Sequence, residues 1–568
     1  MPTPPPPNLA WAKALLQQVR AAGVEGVVLS PGSRSTPLTV AVAEDEDLDK
    51  IIHFDERGAA YHALGIAKGS GTPVALVCTS GTAAANYLPA VTEAFQDQVP
   101  LVILTADRPS ELVDVGANQT IDQRQIYGRF VKAAVDLTPP EPGVSPRTWL
   151  KKAATVLDEV RRSPRGPVHI NVRFREPLLE ADVEDLQPEN IPKQPPKSRE
   201  DGTIPYGEIA DSLSSLRGIL IAGRNLTATD GEAILSLAER LNWPVLPDIQ
   251  SQLRLREHDH IIHFADLILA NTAGLNAAEV VLHLGGPYLS KRLLTWIGEG
   301  EFKNYFHVEP SGRTLDPSGR VTQRIVATVA SFCENLVKEP IHPAPGSWPS
   351  EWRQASDRVS TLLETVLSPA AGNSEPMFAR ALAEWIPEDH ALFLSSSLPI
   401  RHFDSFAAPR PAAPAVFANR GVSGIDGIIA TAAGVARGRK SGTTVFIGDL
   451  AALHDLNSLA LLQDQAYPFV LVLLNNDGGG IFHLLPIAGE TDVFEPYFGT
   501  PHGLQFKSAA EMFDLPYRAC ATFNDFHSAY TGACGQPKTT IIELKTDRRQ
   551  TAGQIRDILS RIQHNQGE

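Results

Sequence analysis

Two stretches decide the fold class of this sequence: Val445-Phe446-Ile447-Gly448-Asp449-Leu450 and, after 24 intervening residues, Asn475-Asn476-Asp477-Gly478. The first is an apolar run that ends at a glycine and an acid, and the second follows the apolar run 469–473. Short apolar runs bounded by turn residues, with helical patterns between them, are typical of strands in a parallel α/β sheet. Ligands of such sheets collect at the carboxyl ends of the strands. We therefore expect Asp449 and Asn476 to lie at a ligand-binding edge.

The oxygen atoms at these two strand ends are suited to a hard divalent cation. Mg²⁺ prefers near-octahedral oxygen ligands, usually one or two carboxylates together with phosphate oxygens and water. The Asp449 carboxylate, the Asn476 side-chain oxygen and the Gly478 carbonyl supply three of them and leave other positions for a diphosphate. The alternative is a helix cap at Asp449 and an ordinary turn at residues 476–478. Both motifs together, each after an apolar strand, favour the metal site.

The same alternation of strands and helices extends through the whole chain and predicts an α/β protein with three parallel-sheet domains. Linker-like stretches at residues 181–202 and 338–350 divide the chain into domains 1–185, 200–338 and 352–568. The predicted strands are residues 26–30, 74–78, 101–105, 168–172, 219–222, 280–284, 306–308, 392–394, 444–447, 469–473 and 540–544.

The first and third domains echo each other. In each, an apolar strand, a turn and a helix lead to the tripeptide Gln-Asp-Gln, at residues 96–98 and 463–465, and then to another apolar strand. The shared order of elements around the tripeptide indicates duplication of one α/β unit.

Composition argues against several classes of partner. The net charge of −15 over 568 residues disfavours a nucleic-acid or anionic-membrane binder, because both require an excess of basic surface. The four cysteines lie far apart without metal-ligand spacing, which fits a reducing cytosol. No signal-peptide pattern and no apolar run long enough to cross a bilayer is visible. We expect a cytoplasmic protein without membrane insertion.

The Gly448-Asp449 and Asn475-Asn476 pair resembles the motif of thiamine-diphosphate-dependent enzymes, which is Gly-Asp-Gly followed about two dozen residues later by Asn-Asn. Leu450 replaces the third glycine, and this departure puts the local backbone geometry in doubt. The resemblance implies thiamine diphosphate with Mg²⁺ or Mn²⁺, and pyrimidine-binding, central and diphosphate-binding domains in that order. It also implies a homodimer or homotetramer with the site at the subunit interface.

Glu56 is the candidate catalytic residue. It follows a strand predicted around Ile51-Ile52 and opens a helix of small residues predicted over 59–68. The resemblance implies that Glu56 hydrogen-bonds the aminopyrimidine ring of the cofactor and assists proton removal. The alternative role is to complement the dipole of the helix.

The whole chain resembles the 2-succinyl-5-enolpyruvyl-6-hydroxy-3-cyclohexene-1-carboxylate synthases of menaquinone and phylloquinone biosynthesis. The motifs that carry this resemblance lie in both outer domains: SPGSRSTPL at 30–38, TSGTAAAN at 79–86, TADRP at 105–109, GANQT at 116–120 and NRGVSGIDG at 419–427. The resemblance implies a transferase that decarboxylates 2-oxoglutarate and adds its succinyl part to isochorismate. An acetolactate-synthase-like carboligase or another 2-oxo acid decarboxylase is the nearest alternative, and a cofactor-binding protein without turnover is a more distant one.

The resemblance also implies which residues contact the ligands. Arginine suits carboxylate substrates because its planar guanidinium binds them in bidentate fashion. A solvated surface charge is the alternative for Lys291, and core packing is the alternative for Phe482 and Leu485. The implied substrate contacts are Ser33, Arg34, Asn118, Gln119, Lys291, Arg401, Arg420, Phe482 and Leu485, and the implied cofactor contacts are Ser397, Asp449, Asn476, Gly478 and Ile481.

Overall fold

The strands of the described residues form three parallel sheets, two with six strands and one with five. This arrangement confirms the predicted fold class. No helix in the described part of the chain combines the length and apolarity needed to cross a bilayer. The predicted linker at 181–202 lies outside the described residues. The structure, a computed structural model, describes residues 8–141, 144–179, 204–271, 275, 277–369 and 372–564.

The N-terminal sheet has the strand order β2-β1-β3-β4-β6-β5. Its interior strands are buried along their whole length because helices cover both faces, which explains their continuous apolar sequences. The strands are β1 (Gly26–Leu29), β2 (Asp49–Ile52), β3 (Val74–Cys78), β4 (Leu101–Asp107), β5 (Ala134–Leu137) and β6 (Val168–Arg173). The helices are α1 (Asn8–Ala21), α2 (Thr36–Glu44), α3 (Glu56–Ser70), α4 (Thr82–Asn86), α5 (Leu88–Gln96) and α6 (Pro146–Arg161).

The central sheet has five strands in the order β11-β10-β9-β7-β8. Its core is continuous with that of the C-terminal domain, so the two domains pack as one apolar body. The strands are β7 (Gly218–Ala222), β8 (Val245–Pro247), β9 (Val280–Leu284), β10 (Asn304–Val308) and β11 (Gln323–Ile325). The helices are α7 (Tyr206–Leu213), α8 (Ala228–Leu241), α9 (Ala265–Ile268), α10 (Lys291–Glu299) and α11 (Val329–Leu336).

The C-terminal sheet has the order β13-β12-β14-β15-β17-β16. Counted along the chain, this is the order of the N-terminal sheet, as a duplicated unit requires. The strands are β12 (Ala391–Leu394), β13 (Ala415–Phe417), β14 (Thr443–Gly448), β15 (Phe469–Asn475), β16 (Tyr517–Cys520) and β17 (Thr539–Lys545). The helices are α12 (Trp348–Val366), α13 (Glu375–Trp385), α14 (Leu398–Phe406), α15 (Ile428–Arg439), α16 (Asp449–His454), α17 (Thr491–Phe494), α18 (Lys507–Met512), α19 (Phe523–Cys534) and α20 (Arg548–His564).

Helices α3 and α15 join the two outer domains by crossing in direct backbone contact. At the crossing, a Cβ atom on Gly65 would overlap the carbonyl oxygen of Thr431, and one on Gly434 would overlap that of His62. Only glycine lets two helices approach this closely. The two helices share one glycine spacing: Gly58, Gly65 and Gly69 in the first and Gly427, Gly434 and Gly438 around the second.

Candidate active site

Asp449 lies at the junction of β14 and α16, where its side chain is buried. Its Oδ2 accepts hydrogen bonds from the backbone amides of Asn476 (3.1 Å) and Gly478 (3.0 Å), and its Oδ1 accepts one from Leu450 (2.7 Å). Because β14 and β15 are neighbours in the sheet, one carboxylate fastens the ends of both strands. The structure thus brings together the two motifs that decide the fold class.

The backbone at this site requires glycine at Gly478 and not at position 450. Gly478 has φ +134°, and a Cβ atom there would overlap the carbonyl oxygen of Gly499. Leu450 lies in the first turn of α16. A leucine is therefore compatible with the turn, and the departure from the cofactor motif does not distort it.

The side chain of Asn476 has one atom engaged and one free. Its Nδ2 donates to Glu375 at 2.7 Å, whereas its Oδ1 is buried and has no partner within the described structure. A buried acceptor without a partner is costly, so an electropositive ligand is the natural complement. With the Asp449 carboxylate and the Gly478 carbonyl, this oxygen fits a hard cation.

The candidate metal site contains a single carboxylate. Within the described residues, no cluster of three or more His, Cys, Asp or Glu side chains is arranged to hold a metal ion. A cation at Asp449 therefore needs oxygens from elsewhere, and a bound diphosphate is a suitable source.

His502, which the sequence did not single out, also contacts the carboxylate. Its Nε2 lies 3.2 Å from Asp449 Oδ2. Burial raises the pKa of Asp449 above its ordinary value, although hydrogen bonds from Gly478, Leu450 and His502 oppose the rise. A histidine 53 positions away, with no motif around it, gives no signal in the sequence.

Glu375, at the start of α13, is a second contact that the sequence does not reveal. Its carboxylate accepts hydrogen bonds from His402 (2.9 Å), Asn476 (2.7 Å) and Thr546 (3.0 Å). Burial alone would raise the pKa of Glu375, but these three donors outweigh it and hold the pKa below its usual value. An acid at a helix start ordinarily indicates only a favourable helix dipole, so its role is invisible without the fold.

Ser33 and Arg34 follow β1 at the corresponding edge of the N-terminal sheet, and Ser33 is exposed. The Arg34 backbone amide donates to Thr79 Oγ1 at 3.2 Å. Its Nη1 donates to the Phe174 carbonyl (3.1 Å) and its Nη2 to Glu176 (2.9 Å), while the buried Nε has no partner within the described structure. The guanidinium is therefore largely committed to contacts within its own domain.

The loop that carries Asn118 and Gln119 is fastened to the end of β3. Gln119 Nε2 donates to the Ser80 carbonyl at 3.0 Å, and the Gln119 carbonyl accepts from Arg108 at 2.6 Å. Burial, reinforced by the nearby positive charge of Arg34, lowers the pKa of Arg108. The predicted N-terminal contacts thus meet at one edge beside two guanidinium groups.

Glu56 is the first residue of α3 and is half-buried. Asp55 caps the helix by accepting from the amides of Arg57 (3.0 Å) and Gly58 (3.4 Å), so the capping role belongs to Asp55. The Arg57 side chain donates to the His454 carbonyl at 2.8 Å and ties this helix start to the end of α16. Glu56 is thereby left available for another partner.

A cavity of about 1120 Å³ lies between the central and C-terminal domains. Helices α10, α14 and α20 and the segment after β15 form its walls, and both polar and apolar groups line it. Five predicted contacts line this cavity: Lys291, Arg401, Ile481, Phe482 and Leu485. The N-terminal set around Arg34 is not part of its lining.

Arg401 and Arg420 concentrate positive charge near this cavity. Arg401 Nη1 donates at 2.6 Å to the carbonyl of Ser397, the residue before α14, which has φ +73°. Arg420 Nη1 lies 3.3 Å from Ser396 Oγ. Burial lowers the pKa of both arginines, and for Arg420 the charges of Arg401 and Arg224 lower it further. A carboxylate ligand would relieve this repulsion.

The loop that carries Arg420 is held by Glu93 of the N-terminal domain, another residue without a sequence signal. The buried Glu93 carboxylate accepts from the amides of Gly421 and Val422, both at 2.7 Å. Lys68 Nζ donates to the Ala418 carbonyl at 2.8 Å, so a second charged side chain holds the same loop.

Comparison with known protein families agrees with this geometry. Residues 10–126 match the thiamine pyrophosphate enzyme N-terminal TPP binding domain, and residues 197–394 match the middle domain of thiamine pyrophosphate enzymes. Two curated proteins, both called 2-succinyl-5-enolpyruvyl-6-hydroxy-3-cyclohexene-1-carboxylate synthase, are similar over almost the whole chain. The protein from Rubrobacter xylanophilus is 44% identical and covers 98% of both chains, and that from Salinibacter ruber is 41% identical and covers 98% of this chain and 96% of its own.

Solved structures share the fold at much lower identity. Benzoylformate decarboxylase from Polynucleobacter necessarius superposes with a TM-score of 0.75 at 17% identity, covering 95% of this chain and 98% of its own. A putative thiamin diphosphate-dependent enzyme from Mycobacterium smegmatis superposes with a TM-score of 0.71, also at 17% identity, covering 94% and 99%. These similarities support the three-domain architecture.

Proposed function

This chain belongs to the family of 2-succinyl-5-enolpyruvyl-6-hydroxy-3-cyclohexene-1-carboxylate synthases, and we propose that it decarboxylates 2-oxoglutarate and adds the succinyl unit to isochorismate. It is a thiamine-diphosphate enzyme, and we infer Mg²⁺ or Mn²⁺ as the accompanying metal. Relatives with this synthase name align over nearly the whole chain at 37–44% identity, which favours this activity over the acetolactate-synthase-like alternative.

The observation that carries the proposal is the Oδ1 of Asn476, which has no partner among the described residues and lies beside the Asp449 carboxylate. Both lie at the carboxyl ends of neighbouring parallel strands, where ligands of such sheets bind. Asp449, Asn476 and the Gly478 carbonyl would hold the metal, and the metal would hold the diphosphate.

The remaining residues would orient the reacting groups. When bound, thiamine diphosphate supplies the electron sink for the decarboxylation. Glu56 would hold a proton at the aminopyrimidine ring, as its half-buried position at a helix start allows. Ser397 and Ile481 would contact the cofactor from the C-terminal domain, and Phe482 would exclude water from the reacting carbon.

The substrates carry several carboxylates, and the charges around the cavity match them. We infer that Arg401 and Lys291 bind substrate carboxylates inside the cavity, with Arg420 at its edge and Leu485 shaping the apolar wall. Bidentate pairing with a guanidinium gives both affinity and orientation. The contacts at Ser33, Arg34, Asn118 and Gln119 would complete the site from an N-terminal domain.

We infer a homodimer, or a homotetramer built from dimers, in which the N-terminal edge of one copy faces the metal loop of another. Large apolar side chains are exposed at both edges: Ile52 (72%) and Phe54 (58%) beside Glu56, and Leu485 (48%) and Leu504 (51%) near the metal loop. Exposed apolar surface is a feature of interaction sites in soluble proteins, and this supports the inferred contact.

The proposal is tested by following isochorismate consumption with thiamine diphosphate, Mg²⁺ and 2-oxoglutarate, omitting each component in turn. We expect consumption only when all three are present. Release of carbon dioxide from 2-oxoglutarate without loss of isochorismate would exclude the proposed acceptor. Replacing 2-oxoglutarate by pyruvate is the matched control, and equal turnover with pyruvate would favour the acetolactate-synthase-like alternative.

A further inference from the structure

Glu375 is a carboxylate sealed inside the C-terminal domain, with only 1% of its surface exposed. Three side chains donate to it: Asn476 and Thr546 to Oε1, and His402 to Oε2. These donors come from three different segments, which follow β15, follow β17 and lie in α14. A residue that serves only the dipole of its own helix would not need these contacts.

The contact to Asn476 decides which way its amide faces. Both Glu375 oxygens serve as acceptors in these three contacts, and Asn476 Nδ2 donates to Oε1 at 2.7 Å, so the NH₂ end of the amide faces Glu375. The oxygen end must then point away from Glu375, and this Oδ1 is buried without a partner in the described part of the chain. Without Glu375, both orientations of the amide would be open, and one of them would present NH₂ to the cation.

The hydrogen bond from His402 connects the Glu375 carboxylate to the substrate cavity. His402 lines that cavity and is adjacent in α14 to Arg401. The Glu375–His402 pair is wholly buried, at 1% exposure on each side. One carboxylate thus links the metal loop to the helix that carries a substrate-binding arginine.

We propose that Glu375 is a positioning residue that locks the Asn476 amide with its oxygen toward the metal and joins this ligand to α14. The proposal rests on the function proposed above, because it takes Asn476 as a metal ligand. Outer groups that orient metal ligands commonly contribute 10–100-fold, in order of magnitude, to metal affinity.

The test measures Mn²⁺ affinity at saturating thiamine diphosphate from the electron paramagnetic resonance signal of free Mn²⁺, without substrate. Glu375→Ala should raise the Kd for Mn²⁺ by about 10–100-fold. Glu375→Gln keeps the size of the side chain and one acceptor, so it should cause a smaller rise. It decides the matter if the alanine variant does not fold, as judged by thermal unfolding without metal.

A double-mutant cycle separates positioning from general damage. If Glu375 acts through Asn476, then adding Glu375→Ala to Asn476→Ala should change the Kd by less than about twofold, whereas independent effects would multiply. Glu543→Gln is the matched control, because Glu543 is equally buried and accepts from Asn475, the neighbour of Asn476. This control should lower thermal stability and leave the Kd for Mn²⁺ within about twofold of the wild-type value.

The outcomes distinguish this proposal from the function beneath it. Failure of the wild-type protein to bind Mn²⁺ with thiamine diphosphate would refute the metal site itself. Normal wild-type binding that is unchanged in the folded Glu375 variants, or a cycle in which the two losses multiply, would overturn only the positioning role of Glu375.

Discussion

The N-terminal and C-terminal sheets have the same strand order but carry different chemistry at equivalent strand ends. When the first paired residues of β3–β4 are aligned with those of β14–β15, Ser80 is equivalent to Asp449, and Arg108 is equivalent to Asn476. In the N-terminal sheet, Arg108 donates directly to Ser80, so a guanidinium occupies the edge. In the C-terminal sheet, the same edge has a carboxylate and an amide oxygen that none of the described residues contacts by a hydrogen bond. One sheet thus supplies its own cation, and the other is open to a metal.

The paired helices α3 and α15 also differ, but here the N-terminal unit carries the candidate catalytic residue. Counting back from the glycines that α3 and α15 share, Glu56 corresponds to Ile425. The N-terminal unit therefore keeps the acid and lacks the metal ligands, whereas the C-terminal unit keeps the ligands and lacks the acid. Neither unit therefore carries a complete site, which supports a site made from one unit of each kind.

The largest effect is expected from replacing Glu56, the acid that only the N-terminal unit has. Glu56→Gln should lower turnover by about 10²- to 10⁴-fold, the usual contribution of positioned acid–base catalysis. Steady-state isochorismate consumption measures it, with the exposed Glu46→Gln as control. Near-normal turnover in the Glu56 variant would contradict the idea that the N-terminal unit supplies the catalytic acid.

The next effect compares the equivalent strand ends directly. Asp449→Asn should weaken Mn²⁺ binding by more than the roughly 10–100-fold that outer groups cost, because it removes the one carboxylate that the described residues supply to the candidate site. Ser80→Ala, the same edge position of the other sheet, should leave Mn²⁺ affinity unchanged. Calorimetric titration of Mn²⁺ with thiamine diphosphate present measures both, and equal losses would contradict the assignment of the metal to one sheet.

The fold was predictable where burial dominates the sequence. The strands predicted in the sheet interiors, such as Val74–Cys78 and Val280–Leu284, agree with the structure because helices cover both of their faces and leave apolar runs. The strands that went unpredicted lie at sheet edges. Val245–Pro247 is buried but only three residues long, whereas Ala134–Leu137 and Tyr517–Cys520 are partly exposed. Partial exposure permits polar residues and removes the pattern.

The site was predictable only in its local part. Asp449 and Asn476 follow apolar strands within one motif, so their meeting could be inferred. Glu375 is 101 positions from Asn476, and His502 is 53 positions from Asp449, so only the folded topology brings them into contact. The charges that hold the Arg420 loop, such as Glu93, come from another domain and are equally hidden.

A smaller effect tests the contact between the two units. Gly434→Ala should lower the free energy of unfolding by about 1–3 kcal/mol, because its Cβ would overlap the His62 carbonyl and force α3 and α15 apart. Gly532→Ala, in an exposed part of α19 with open space around it, should instead raise stability by about 0.5–1 kcal/mol. Urea denaturation measures both changes. If Gly434→Ala changed the free energy of unfolding as Gly532→Ala does, the crossing would tolerate a larger separation of the two helices.

The smallest effect is a pH dependence at the same crossing. His62 is buried against α15 with its Nδ1 3.1 Å from the Ala430 carbonyl, and burial lowers its pKa to about 3. The unfolded chain binds the proton near pH 6.5, so this contribution to stability is complete above pH 6.5 and is lost as the pH falls toward 3.

His62→Asn keeps an N–H group for the Ala430 carbonyl but cannot take up this proton. Between pH 7 and pH 5.5, the free energy of unfolding of the variant should therefore fall by about 1 kcal/mol less than that of the wild type. This difference does not depend on how the substitution changes stability at pH 7. Urea denaturation at both pH values measures the difference, with the exposed His527→Asn as control. An unchanged pH dependence in the His62 variant would mean that water reaches the crossing, and that the two units are held together less tightly than the glycine contacts indicate.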